Sequence, residues 1–331
     1  MKEEDLKAEL ENVNIVRQKS ELMAPRDARL VPNASLRARF REVTFDDCFR
    51  GQFEPLDGRK KVGEYVLGRL LGEGAFSKVR AAKRLNNTDT VAIKILPKKT
   101  VLQEEHARRR FLREMTTLRR LEHGNIVRLR EVMETSSNFY LVMDLARGTS
   151  LKEHLACRTS IPEAETVPLV RQLADALAYL HDDGIVHRDL KPENLILDRG
   201  HLTVIDFGLS GRVAPDAFLT TQCGSPAYAA PEVLARTPYT QAVDMWSCGV
   251  IVYLMLTGYH PFSIPGQRAY RTQLHAAMAR GFTLSPFLSL CTDCKDVLSR
   301  LLRVEPKDRI SARELLLHSW LAAVKSPFPK S

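Results

Sequence analysis

His187-Arg188-Asp189-Leu190-Lys191-Pro192-Glu193-Asn194, followed shortly by Asp206-Phe207-Gly208, decides the reading of this chain. The two segments place two carboxylates, an amide, a lysine and an arginine on neighbouring loops. Phosphoryl transfer needs that inventory. A carboxylate orients the attacking hydroxyl, hard oxygen ligands hold Mg²⁺ against a nucleotide, and a cation offsets charge on the moving phosphate. A string of this length does not arise by chance.

Outward from that stretch, the chain is long enough, at 331 residues, for two cored lobes. Hydrophobic residues make up 44% and charged residues 27%, ordinary for a globular protein. No apolar run reaches the length that crosses a bilayer. Met1-Lys2-Glu3-Glu4-Asp5 is acidic and lacks the apolar core of a secretory signal, so a cytoplasmic location is expected, with the nucleus as an alternative. The net charge is +9, but arginines are dispersed, with modest clusters at Arg108-Arg109-Arg110 and Arg37 to Arg41, and no aromatic-interleaved basic stripe is present. Nucleic-acid binding is therefore not expected. Six cysteines are too few for a disulfide framework, and Cys291-Thr292-Asp293-Cys294, with no second pair and no His cluster, reads as reduced and structural. Asn33-Ala34-Ser35 matches a glycosylation acceptor, but with no secretory route expected it carries no weight.

Residues 1–60 read as an extension. Leu6, Leu10, Val13 and Val16 have loose helical spacing, and Pro25, Pro32 and Pro55 interrupt an arginine-rich stretch. From Tyr65 the chain turns to short strands: Tyr65 to Leu71, Lys78 to Arg84 and Thr90 to Leu96, with Gly72-Glu73-Gly74 and Asn86-Asn87 between them. A charged helix from about Glu104 to Glu122 and two strands near 127–134 and 139–144 complete a five-stranded antiparallel sheet with one helix. Beyond Gly148 helices dominate. Val170, Leu173, Ala174, Leu177 and Leu180 share a helical face, and Val243 to Leu256 reads as a buried helix. The expected domains are 61–146, 147–321 and a tail at 322–331.

From about Tyr65 to Trp320 the chain resembles the eukaryotic protein kinase family. The resemblance implies an α+β, bilobal fold, with a small β-rich amino-terminal lobe and a larger helical one. It also implies ATP and Mg²⁺ as cofactors and transfer of the γ-phosphate to protein hydroxyls. Leu71, Gly72, Glu73, Gly74, Ala75, Phe76 and Ser77, with Val79 after them, look like the glycine-rich loop over the phosphates. Glycines let backbone N–H groups approach phosphate oxygens, although such glycines also make plain hairpin turns. Ser77 stands where the family usually has a third glycine. Val91-Ala92-Ile93-Lys94 looks like the strand carrying the nucleotide lysine, with Glu114 its expected partner and Ala92 beside the base. Asp189 is expected as the catalytic base, Lys191 as the cation for the γ-phosphate, and Asn194 and Asp206 as Mg²⁺ ligands. Met143, Asp144 and Ala146 align with the segment that meets adenine, and Ile196 with the floor of its pocket. His187 and Phe207 are expected to pack.

Lys191-Pro192-Glu193-Asn194 marks the serine/threonine class in this family, and Ser225 of Gly224-Ser225-Pro226 agrees. The segment from Asp206 to Glu232 resembles the activation segment, with Glu232 expected to pair with Arg309. Its stretch Thr221-Gln222-Cys223-Gly224-Ser225-Pro226 is similar to the AMP-activated-kinase-related branch of the calcium/calmodulin-dependent group. Within that branch the loop and Ser77 look closest to the hormonally up-regulated neu-associated kinase, but Pro192 departs from it and that protein's long carboxy-terminal extension is not matched. Thr221 stands where an upstream kinase phosphorylates such relatives. A phosphate there adds about −1.5 to −2 charge, and Arg188 is placed to receive it, with Arg110 and Arg212 as further candidates. Ser150 stands where relatives often carry an acid that touches ribose and a substrate arginine; Glu193 and Glu153 leave a weakened basic preference. The chain stops soon after Trp320, so no regulatory domain is expected beyond it, and a monomer is expected. A scaffold on the same fold and a small-molecule kinase are the rival readings.

Overall fold

The computed structural model describes residues 61–85, 89–214, 217–262, 276, 278, 280–282 and 289–322. The extension at 1–60, the Asn86-Asn87 turn and the tail from 323 onward lie outside the described residues. The chain divides into two compact units. Among the described residues, the first comprises 61–121 and 128–145, and the second comprises 122–127 and 146–322.

The first unit is an antiparallel sheet of six strands: β1 (Lys61–Val62), β2 (Tyr65–Glu73), β3 (Lys78–Arg84), β4 (Thr90–Pro97), β5 (Leu129–Glu134) and β6 (Asn138–Asp144). Their order is β1-β2-β3-β4-β6-β5. All five expected strands are present. The sixth, β1, is two residues long and pairs with the start of β2, too short to leave a periodic signal in the sequence. The expected charged helix is α2 (Glu105–Leu118), ending four residues early, and a short helix the sequence reading did not anticipate, α1 (Lys98–Gln103), precedes it. Glu104 between them is extended, with φ −108° and ψ 110°. Alternation along the strands buries Val62, Tyr65, Leu67, Ala82, Val91, Ile93 and Val142 in one cluster. Residues two apart on a strand share a face, so one row builds the core and the other is free for ligands.

The second unit is mainly helical: α3 (Leu151–Arg158), α4 (Glu163–Asp182), α5 (Pro231–Leu234), α6 (Ala242–Thr257), α7 (Thr292–Leu301), α8 (Ala312–Leu317) and α9 (Ser319–Ala322). Short strands β7 (Thr149–Ser150), β9 (Leu195–Asp198) and β10 (His201–Val204) form one small sheet, and β8 (Ile185–Val186) pairs with β11 (Gly211–Arg212). The expected apolar stripe on α4 is buried at Val170, Leu173, Ala174, Leu177 and Leu180. In α6, Val243 to Val252 is buried without a break, which is why that stretch reads as nearly all apolar. Ser150 and Glu153 form a reciprocal capping box that starts α3. Residues 122–127 belong to this unit. Val127 N–H donates to Val204 O (3.0 Å), and Asn125 Nδ2 donates to Leu202 O (2.7 Å) and Gln172 Oε1 (2.8 Å).

Candidate active site

In the first unit the expected nucleotide residues converge by strand register. Gly72 pairs with Val79, Val79 with Lys94, and Ala92 with Met143. Paired residues of antiparallel strands point to the same face, and Ala92 and Lys94 are two apart. Val79, Lys94, Ala92 and Met143 therefore line one face. The β2–β3 connection closes as a tight turn in which Gly74 N–H donates to Ser77 O (2.8 Å). Leu71, Gly72, Glu73, Gly74 and Ala75 are exposed, while Phe76 and Ser77 are half-buried. Glu73 and Lys78 pair across the hairpin at 3.0 Å. Ser77 replaces the third glycine without disturbing this turn, since its carbonyl is the group that closes it.

Lys94 Nζ donates to both carboxylate oxygens of Glu114, at 2.7 and 2.6 Å. Glu114 lies on the inward face of α2 with Phe111, Met115 and Leu118. Asp144 is tied at the end of β6. Its N–H donates to Arg128 O (2.9 Å), and its carboxylate accepts from Arg130, which also binds Asp89. Arg130 sits where the β5–β6 register shifts, and such an irregularity re-aims a side chain. Arg110 lies over the Phe76 ring, 5.9 Å from its centroid.

The second unit holds the chemistry-bearing loop. Asp189 is buried and its carboxylate is gripped from several sides. Oδ1 accepts from Ser225 N–H (2.9 Å) and from Ser225 Oγ–H (2.9 Å). Oδ2 accepts from Lys191 Nζ (2.7 Å), and Lys191 also reaches Ser225 Oγ (3.1 Å). Asn194 Nδ2 donates to Asp189 O (2.8 Å), which leaves the amide oxygen as the group available to a cation. Asp206 is exposed and Phe207 beneath it is fully buried against His187, ring centroids 4.9 Å apart. His187 and Phe207 therefore pack, as expected. An exposed carboxylate and an amide oxygen are hard donors suited to Mg²⁺, which completes its octahedron with water and phosphate oxygens. Among the described residues no group of three or more His, Cys, Asp or Glu side chains is placed to hold a metal ion. Ile196 is half-buried on β9, between buried Leu195 and Leu197, and Ala146 is half-buried just after β6.

Two site residues have left-handed backbones, Arg188 at φ 67° and Asp206 at φ 64°. Such conformations persist where surroundings over-determine them. Asp244, fully buried on α6, anchors the first by accepting from His187 N–H (2.8 Å), Arg188 N–H (2.9 Å) and the His181 ring (3.0 Å). Burial pushes the Asp244 carboxyl up, but the His181 hydrogen bond, the nearby imidazole charges and the Arg188 N–H outweigh it and hold it below its ordinary value. The expected Glu232–Arg309 pair is present and buried, at 2.9 and 3.2 Å.

The Arg188 side chain departs from an open receiver of phosphate. Its Nε donates to Leu209 O (2.6 Å), Nη2 to Ser210 O (2.9 Å) and Nη1 to Tyr239 Oη (3.2 Å). Thr221 is exposed, and its carbonyl accepts from Tyr239 Oη (2.6 Å). Arg212 is exposed on β11, paired with Ile185. Nor are the two candidate acids for substrate binding free. Glu153 is spent on the Ser150 cap, and Glu193 binds Lys152 Nζ at 2.9 Å. The other Glu193 oxygen is buried with no hydrogen-bond partner among the described residues. Sequence reasoning noted Ser225 as a class marker but not as the residue that holds Asp189, and it missed Tyr239, Arg130 and Lys152. The single legible hint was the adjacency of Ser225 to Gly224, whose φ of 89° packs it on Arg188.

A family model described as "Protein kinase domain" matches residues 65–321. The chain is 40% identical over 267 residues to CBL-interacting serine/threonine-protein kinase 9 of Arabidopsis thaliana, and equally so to CBL-interacting protein kinase 33 of Oryza sativa subsp. japonica. Each match covers 79% of this chain and 58% of the relative, so the chain spans well under two thirds of those relatives' length. Serine/threonine-protein kinase H2 of Homo sapiens is 37% identical over 282 residues, covering 82% of this chain and 70% of that protein.

Proposed function

Because this chain belongs to the protein kinase domain family, we propose that it is an active, Mg²⁺- and ATP-dependent protein kinase acting on serine and threonine hydroxyls. One observation carries the reading. Asp189 is held by Ser225 and Lys191, each of which also contacts the other. A carboxylate fixed in this way serves as the base for an incoming alcohol. The alcohol proton passes to the Asp189 carboxylate as the alcohol oxygen forms its bond to the γ-phosphorus and the β–γ bridging bond breaks, leaving ADP. Lys191 offsets charge on the transferred group. Lys94, oriented by Glu114, would hold the α- and β-phosphates. Asn194 and Asp206 would hold Mg²⁺, which neutralises phosphate charge when bound.

Phosphorylation of Thr221 by an upstream kinase is part of the proposal. Its support is the exposed Thr221 side chain on a segment whose backbone already touches the Arg188 network. Hydrogen bonds to charged groups contribute about 1.5–3 kcal/mol each, so two or three approach the roughly 5.5 kcal/mol that inverts a 1:99 equilibrium.

The test is transfer of radiolabelled γ-phosphate to a generic serine/threonine protein substrate by wild type and Asp189→Asn. Transfer by wild type, lowered at least about 100-fold in the variant, is expected. Nucleotide binding without transfer would instead favour the scaffold reading, and transfer confined to small molecules would favour the third. Within this test, Thr221→Ala is expected to be poorly active; turnover equal to that of phosphorylated wild type would remove the switch.

A further inference from the structure

Tyr239 lies between α5 and α6, outside every motif the sequence singled out, and is buried. Its backbone forms an isolated two-way antiparallel bridge with Leu219. Leu219 N–H donates to Tyr239 O (2.8 Å) and Tyr239 N–H donates to Leu219 O (2.9 Å). Two residues on, its phenol hydroxyl donates to Thr221 O (2.6 Å) and accepts from Arg188 Nη1 (3.2 Å). Arg188 is the residue before Asp189, and two further guanidinium N–H groups donate to Leu209 O and Ser210 O. Burial, then the neighbouring Cys223, push the phenol above its ordinary range, so it keeps the proton it donates to Thr221.

We propose that Tyr239 is a positioning residue that links the unmodified activation segment to Arg188 and so supports the low activity the protein has before Thr221 is phosphorylated. The chain Thr221 C=O, Tyr239 Oη–H, Arg188 guanidinium is continuous and buried at its centre. It ends one residue from the base. Asp244 holds the left-handed Arg188 backbone, and Tyr239, Leu209 and Ser210 hold its side chain. Loss of the phenol oxygen frees Nη1 and unties Thr221. A phosphate added at Thr221 brings acceptors that can reclaim the freed guanidinium N–H directly. Tyr239 thus matters most when Thr221 carries no phosphate.

This inference rests on the kinase reading above, and its test separates the two. Wild type and Tyr239→Phe are each prepared in two forms, phosphatase-treated and with phosphothreonine installed at 221 during translation. Steady-state kinetics use Mg-ATP and a serine peptide. In the unmodified form the Phe variant is expected to lose about tenfold in kcat, with KM for ATP and peptide unchanged. In the phosphorylated form it is expected within about twofold of its own wild type. Unchanged kcat in the unmodified Phe variant, or an equal loss in both forms, would overturn the proposal. If wild type transfers no phosphate, the kinase reading fails. The link is then read from amide hydrogen exchange at Leu219, expected to be faster in the unmodified Phe variant only; equal exchange in all four samples overturns it.

Discussion

Lys94 Nζ is shared between both carboxylate oxygens of Glu114, at 2.7 and 2.6 Å, with the Glu114 side chain 3% exposed and that of Lys94 14% exposed. A surface pair contributes about 0–1 kcal/mol. A pair this dry behaves differently, because removing one partner strands the other charge away from water. The pair also fixes the direction of the ammonium, since two acceptors define its axis.

Glu114→Gln keeps the shape but removes the charge. It is expected to lower kcat/KM for ATP by roughly 10–100-fold, about 1.4–2.7 kcal/mol of lost transition-state stabilisation. Steady-state kinetics at varied ATP check this, and a kcat/KM within twofold of wild type would show that Lys94 needs no orienting partner.

Gly224 makes a distinct prediction. At φ 89°, a Cβ there would lie 2.3 Å from Arg188 O and 3.7 Å from Asp189 Oδ1. Gly224→Ala is expected to cost about 1–3 kcal/mol in backbone strain and to displace Ser225, so peptide phosphorylation should fall at least tenfold. Gly124, where a Cβ meets nothing within 4 Å, is the control, and Gly124→Ala should melt and turn over like wild type. Normal activity in Gly224→Ala would mean that the close approach is not needed.

Asp244 ties stability to pH. Its folded-state pKa is depressed below the ordinary carboxylate value of about 4, so between the two values the unfolded chain binds the extra proton. The stabilisation is fully present above about pH 4 and is lost as pH falls through the depressed value. Asp244→Asn should therefore cost about 3–5 kcal/mol at pH 7 and progressively less below pH 4. Urea midpoints across that range measure it; a cost independent of pH would assign the effect to packing alone.

Lys152 bears on substrate choice. Its ammonium occupies Glu193, two residues past Lys191 on the same loop as the base, and Lys152 holds that carboxyl below its ordinary value against the upward push of burial. A peptide library should show little arginine enrichment with wild type and a few-fold gain with Lys152→Ala. Strong arginine selection by wild type would contradict this.

Much of this was legible in the sequence, and the particular residues say why. The strands from Tyr65 to Asp144 show themselves because alternation is local. The α4 and α6 helices do so because their apolar spacing is local as well. Lys94, Asp189, Asn194 and Asp206 could be named because they match the motifs of the kinase family the chain resembles, and their residue types suit that chemistry. The two-residue strand β1, the six-residue helix α1 and the attachment of residues 122–127 to Val204 and Leu202 carry no periodic signal. Each depends on partners distant in the chain.

By itself, then, the sequence determined the long strands of the first unit, the main helices and the donors and bases present, since these follow from side-chain type and near-neighbour order, while the class of chemistry came with the family resemblance those motifs carry. Only the tertiary structure decided which of those groups hold one another. It placed Ser225 on Asp189, Tyr239 between Thr221 and Arg188, and Lys152 on Glu193. The physical reason is that hydrogen bonds act over about 3 Å, and only the folded backbone brings residues tens of positions apart within that reach.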